Sequence, residues 1–125
     1  MSSLPFKNNL LKSFRAAFRG IILVIKNERN IRIHFSIAIL VIVAGVLFEI
    51  SSIKWMVVLL LFAVVISTEM FNSAIEKLSD LVEPEVNKTI RDLKDIAAGA
   101  VLWAAMVSVI VGLIIFVPEI LEFIG

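Results

Sequence analysis

Three stretches of this chain carry no formal charge, taking His34 as neutral: Ile33–Phe48, Trp55–Thr68 and Ile96–Pro118, of 16, 14 and 23 residues. A helix that crosses a bilayer needs about 20 predominantly apolar residues. The third stretch satisfies that alone. The first reaches it by taking in Arg32 and Glu49 at its edges, with the arginine snorkelling toward the headgroups. The second spans only if its helix continues past Glu69 to about Ile75, which carries Glu69 into the inner margin of the membrane. The pattern therefore predicts spans near 31–50, 53–75 and 96–118. Ahead of them, Leu11, Phe14, Phe18, Ile22 and Ile25 recur at helical spacing within residues 6–27, with Lys12, Arg15, Arg19 and Lys26 on the other side. A helix of this kind lies in the plane of the interface, its basic face toward anionic headgroups. An anchor alone and an anchor that also lends a cation to a phosphate-bearing ligand share this spacing. The expected fold is an all-α integral membrane protein with an N-terminal amphipathic surface helix and three transmembrane helices per subunit, residues 1–125 forming one membrane domain.

Composition narrows the alternatives. The chain is 60% hydrophobic and 18% charged, with no cysteine, five glycines and three prolines, and a mean hydropathy of +1.02. A small soluble core could not hide that much apolar side chain. Disordered, collagen-like and disulfide-stapled classes are excluded, and a net charge of +1 makes no case for nucleic acid. The apolar run starts too late for a cleavable export signal. Eleven of the twelve basic residues precede the first span or lie between the second and third, and only Lys54 lies between the first and second. The positive-inside rule then puts the N-terminus and the second loop in the cytoplasm.

The richest stretch for chemistry is Glu69-Met-Phe-Asn72-Ser73-Ala-Ile-Glu76-Lys77-Leu-Ser-Asp80. Glu69, Asn72, Ser73, Glu76 and Asp80 fall at i, i+3, i+4, i+7 and i+11, which stacks them along one helix face running from membrane depth outward. Ionisable groups inside a membrane are costly and mark function, unless they clasp a neighbouring helix through Arg29, Arg32 or Lys94. Two more polar clusters face the same side: Asn27-Glu28-Arg29-Asn30-Ile31-Arg32 and Arg91-Asp92-Leu93-Lys94-Asp95. Asp95 also suits simple balancing of a helix dipole, whereas Lys94 opposes that dipole and fits an anionic partner. Together the clusters offer carboxylates for a hard divalent cation, a lysine for phosphate and one carboxylate at the lipid margin. Those parts can move a phosphoryl group onto a membrane-embedded hydroxyl. There is no G-x-x-x-x-G-K-[ST] loop, no G-x-G-x-x-G and no H-E-x-x-H, and His34, the single histidine, suits an interfacial hydrogen-bonding role. Ala100, Ala104, Ser108 and Gly112 form a small-residue seam for close helix packing, within or between subunits.

Asn27-Glu28-Arg29-Asn30, Glu69-x-x-Asn72-Ser73-Ala74-Ile75-Glu76, Asp80-Leu81-Val82-x-Pro84-Glu85 and Lys94-Asp95-Ile96-Ala97-Ala98-Gly99-Ala100-Val101 carry a resemblance to the small prokaryotic diacylglycerol kinases, including the undecaprenol kinase branch. The resemblance covers nearly the whole chain. It implies an ATP-dependent lipid kinase acting on diacylglycerol or undecaprenol, a homotrimer with sites between neighbouring subunits, and the bacterial cytoplasmic (inner) membrane. It further implies Glu69 as catalytic carboxylate and lipid contact, Glu28 and Glu76 as magnesium ligands, and Asn72, Glu85, Asn87, Lys94 and Asp95 as ATP contacts. Arg32 and Ala98 match positions near the lipid. Asn87 stands where many members carry histidine, and Ala16 replaces an aromatic residue common in one branch. A non-catalytic assembly protein or a small transporter subunit would share the spans. A transporter, however, normally holds its acids nearer the midplane and shows an internal repeat, and none is found here.

Overall fold

The computed structural model describes the backbone of residues 6–82 and 87–125. Four helices account for nearly all of it, and no strand occurs among the described residues: α1 (Phe6–Asn27), α2 (Arg29–Leu47), α3 (Ser52–Val82) and α4 (Lys88–Ile124). The charge-free runs explain the last three, because a hydrocarbon environment leaves the backbone no hydrogen-bond partner other than itself. Each of these three is long and apolar enough to cross a membrane, and α1 precedes them as the expected amphipathic helix. At 1.5 Å per residue α2 is about 28 Å long, close to the hydrocarbon thickness, whereas α3 is about 46 Å and α4 about 55 Å. Both long helices therefore have ends that extend beyond the apolar layer.

The helix breaks have local causes. Glu28 alone separates α1 from α2, with extended backbone angles of φ −111° and ψ 114°. At the other end of α2 the chain reverses over Phe48–Ser51, where Glu49 adopts φ 52°, a left-handed conformation rare outside glycine and asparagine. Gly45 precedes this reversal and is packed against the Trp55 ring. Pro118 lies inside α4.

Helix α3 packs mainly on α4 and less extensively on α2, while α1 touches the remainder of the described chain chiefly through α2. Two ion pairs tie α3 to α4, one near each end. Lys54 Nζ meets Glu119 Oε1 at 2.8 Å, and Lys94 Nζ meets Asp80 Oδ1 at 2.6 Å. These fix an antiparallel register between the two helices. An apolar core of Ile50, Val58 and Ile115, joined by Phe48, Trp55 and Phe116, lies toward the end that holds the Phe48–Ser51 reversal. Phe48 sits edge-on to Phe123 at 5.8 Å there, a favoured aromatic geometry. Toward the opposite end the buried positions of α3 become polar.

Candidate functional site at the polar end of the helix bundle

Glu69, Asn72, Ser73 and Ser79 are the buried polar residues of the described chain, and all four belong to α3. They continue the face on which Val58 and Val65 bury apolar side chains three turns and one turn before Glu69. Helical spacing is the cause, since residues three and four apart share a face. Glu69 is 2% exposed, and its carboxylate forms no hydrogen bond or ion pair among the described residues. Asn72 is 8% exposed, and its Oδ1 is sealed from solvent without a donor among the described residues. An orphaned amide oxygen costs about 1–3 kcal/mol, and an acid set inside a membrane helix is costly as well. Two such groups one turn apart are expensive to fold around. Their retention points to an incoming partner.

The neighbouring carboxylates differ. Glu76 occupies the same face by angle but is exposed, and it makes no ion pair among the described residues. Asp80, one turn further along, is held by Lys94. That contact brings the start of α4 onto the polar end of α3 and gives the stripe a cation. Asp95 and Ala98 follow on exposed turns of α4. Counting along both helices from the two ion pairs sets Glu69 level with Ala104 and Ala105 and Glu76 level with Ala97 and Ala98, where small side chains leave room for the longer acids.

Glu28 sits at the α1–α2 break, half-buried, and its side chain does not cap α2. Arg32 turns back toward α1 and donates from Nη1 to the carbonyls of Ile25 and Lys26, at 3.0 and 2.9 Å. Asn87 is the N-cap of α4, its Oδ1 accepting from the Ile90 N–H at 2.9 Å. Glu85 lies outside the described residues. Glu69, Asn72, Glu76, Lys94 and Asp95 therefore share the α3–α4 end of the molecule, with Glu28 and Arg32 at the α1–α2 joint.

No group of three or more histidine or acidic side chains poised around one point occurs among the described residues. Magnesium does not require one, since it is commonly held by one or two carboxylates with phosphate oxygens and water completing its shell. Glu28 and Glu76 fit that chemistry as hard oxygen donors not engaged in ion pairs among the described residues.

One turn before Glu69 along α3, an apolar cavity of about 270 Å³ opens among α2, α3 and α4, lined by His34, Val41, Phe62, Val65, Ser108 and Gly112 among others. Val65 and Ile66, within one turn of Glu69, belong to its wall. The Ser108 hydroxyl oxygen is buried without a partner among the described residues. A carboxylate one helical turn beyond the wall of a hydrocarbon-lined cavity suits an amphiphile with a polar head and an apolar tail. Sequence reasoning passed over Ser79, the cap at Asn87 and the reach of Arg32. An asparagine three residues before Ile90 was the available signal for the cap.

Comparison with known proteins gives this arrangement a lineage. The profile of the family described as "Prokaryotic diacylglycerol kinase" matches residues 15–116. The chain is 41% identical over 112 residues to a protein of Bacillus subtilis named undecaprenol kinase, covering 90% of this chain and 91% of that one. It is 38% identical over 115 residues to a protein of Synechocystis named diacylglycerol kinase, covering 91% of this chain and 66% of that one.

Proposed function

This chain belongs to the prokaryotic diacylglycerol kinase family, and from that premise we propose that it moves the γ-phosphoryl group of ATP onto the hydroxyl of a lipid within the membrane, undecaprenol or diacylglycerol. It is a multi-pass membrane lipid kinase, so the transfer of phosphate to a lipid is common ground. The proposal concerns which residues perform it and where. The observation that carries it is the buried carboxylate of Glu69, without a partner among the described residues and within one helical turn of Val65 and Ile66 in the wall of an apolar cavity.

The lipid enters sideways from the bilayer, with its tail among the apolar helix faces and its hydroxyl at Glu69. Glu69 accepts the hydroxyl proton as the lipid oxygen bonds to the γ-phosphorus and the bond from that phosphorus to the β–γ bridging oxygen breaks. ADP leaves with the electron pair of the broken bond. Lys94 exchanges the Asp80 carboxylate for nucleotide phosphate, and Asn72, Asp95, Glu85 and Asn87 complete the ATP contacts. Asn87 contributes there through its amide NH2 or backbone, because its Oδ1 already caps α4. Ala98 is the remaining candidate on the lipid side, since the Arg32 guanidinium is turned to the carbonyls of α1. Magnesium held by Glu28 and Glu76 would neutralise charge on the phosphates. Positioning and charge neutralisation supply most of the acceleration in such a transfer. The working unit is a homotrimer with sites at subunit boundaries, set in the bacterial cytoplasmic membrane with the N-terminus and the α3–α4 connection inside. The distribution of basic residues supports that orientation.

Both lipids deserve assay, because apolar pockets discriminate weakly between tails. Purified protein in detergent is supplied with labelled ATP and either undecaprenol or diacylglycerol. Glu69→Gln should retain nucleotide binding and lose about 10²–10⁴ in turnover, the usual effect of removing a general base. Asp80→Asn should be far milder. Near-parental turnover of Glu69→Gln with either lipid would sink the assignment.

A further inference from the structure

Helix α1 is joined to α2 through a single non-helical residue, Glu28. The break has a structural consequence at the end of α1. The last four carbonyls of a helix lack intrahelical donors, and the turn of the chain at Glu28 directs the following N–H groups away from α1. The Glu28 N–H itself still reaches Val24 O at 2.8 Å. The next two carbonyls, those of Ile25 and Lys26, are taken instead by the Arg32 guanidinium, at 3.0 and 2.9 Å.

One nitrogen of Arg32 therefore does what two backbone N–H groups do in an unbroken helix. Its positive charge also meets the negative end of the α1 dipole. Arg32 can hold this position because its own backbone is secured on the α2 side. Ile31, immediately before it, is fully buried, and the Ser36 hydroxyl donates to Arg32 O at 2.8 Å. The side chain thus runs from a secured turn of α2 to the loose end of α1, and Glu28 sits between the two.

We infer that Arg32 is a positioning residue that locks the α1–α2 joint and, through it, sets where the Glu28 carboxylate points. This differs from a direct contact between Arg32 and the lipid. The consequence for metal rests on the reading above that Glu28 holds magnesium; the lock itself does not. Guanidinium geometry matters here, since two N–H bonds on one nitrogen diverge toward two carbonyls, whereas a lysine ammonium at the end of a flexible stem satisfies them less well.

The test uses the full-length protein in lipid nanodiscs, comparing Arg32→Met, Arg32→Lys and Glu28→Gln with the parent. Amide hydrogen exchange reads the joint without catalysis. In Arg32→Met the Glu28 amide should exchange faster, with α3 and α4 unchanged, and Arg32→Lys should fall between it and the parent. An unchanged Glu28 amide in Arg32→Met overturns the lock. Kinase assays then read the consequence. Arg32→Met should raise the magnesium needed for half-maximal activity about tenfold, the low end of what loss of a residue supporting a metal ligand does, with the KM for lipid held. A raised lipid KM with magnesium dependence unchanged overturns the proposal in favour of lipid contact. If Glu28→Gln leaves magnesium dependence unchanged while Arg32→Met loosens the joint, the lock stands and the metal assignment of Glu28 fails.

Discussion

Glu28 and Glu76 lie far apart in sequence, and the side chain of neither makes an ion pair among the described residues. Idle carboxylates at a membrane surface are either hydrated bystanders or ligands awaiting a cation, and magnesium distinguishes the two. If both grip the same ion, either Glu→Gln change should raise the magnesium required for half-maximal activity, and the double change should add little once the site is lost. Melting temperatures should stay close to the parent. Titration of magnesium against activity, beside thermal unfolding, checks this; lower melting with untouched magnesium dependence would make them structural. Much of this chemistry is legible from spacing, because Glu69, Asn72 and Ser73 are brought to one face by helical geometry alone, and the structure buries all three. The fate of Glu76 is not legible that way. It shares their angle yet stays exposed, since burial along a stripe depends on what the facing helix places opposite. The ion pair of Lys94 with Asp80 likewise requires the register of α3 against α4, which no single helix encodes.

Among the elements, the reversal between α2 and α3 is the most tightly built. A Cβ added at Gly45 would come within 2.8 and 2.9 Å of two Trp55 ring atoms and 3.1 Å of Ile50 Cδ1. The ring is rigid and belongs to the apolar core, so it can yield only by moving the start of α3. Gly45→Ala should therefore destabilise the protein by about 1–3 kcal/mol, the usual effect of overpacking. Adding Trp55→Leu in the same chain should recover part of the loss by making space. Thermal unfolding in detergent checks both, and an unaltered melt for Gly45→Ala would show that the turn relaxes freely. Hydrophobic periodicity predicts the helices themselves, since long charge-free runs have few other folds open to them in lipid. Their ends are harder to read. Asn87 caps α4, but Thr89 and Asp92 in the same polar run are also residue types favoured at N-caps, and only the backbone path selects among them. The grip of Arg32 on α1 escapes sequence reading for a related reason, because it depends on the break at Glu28 leaving two carbonyls without donors.

The whole molecule is far more open than a soluble protein of its mass. Its accessible surface is 9522 Å², against about 6,700 Å² for a folded soluble monomer of 13.9 kDa by the usual scaling. Exposed side chains include Leu40, Leu60, Trp103, Ile114 and Phe123, which only lipid or a neighbouring subunit can cover. Orientation in the bilayer is open to direct test, because the chain contains no cysteine. Ser51→Cys, in the α2–α3 reversal, should react with a membrane-impermeant maleimide added to spheroplasts, and Lys88→Cys, at the start of α4, only after permeabilisation. The opposite labelling pattern would invert the topology. The apolar exterior also changes what concentration means for this kinase. Its lipid substrate dissolves in the same medium that solvates the protein, so encounters follow the mole fraction of substrate in the bilayer and not moles per litre of suspension. Diluting the membrane with inert lipid starves the enzyme even when the amount of substrate in the tube is constant, whereas adding buffer leaves its surroundings unchanged.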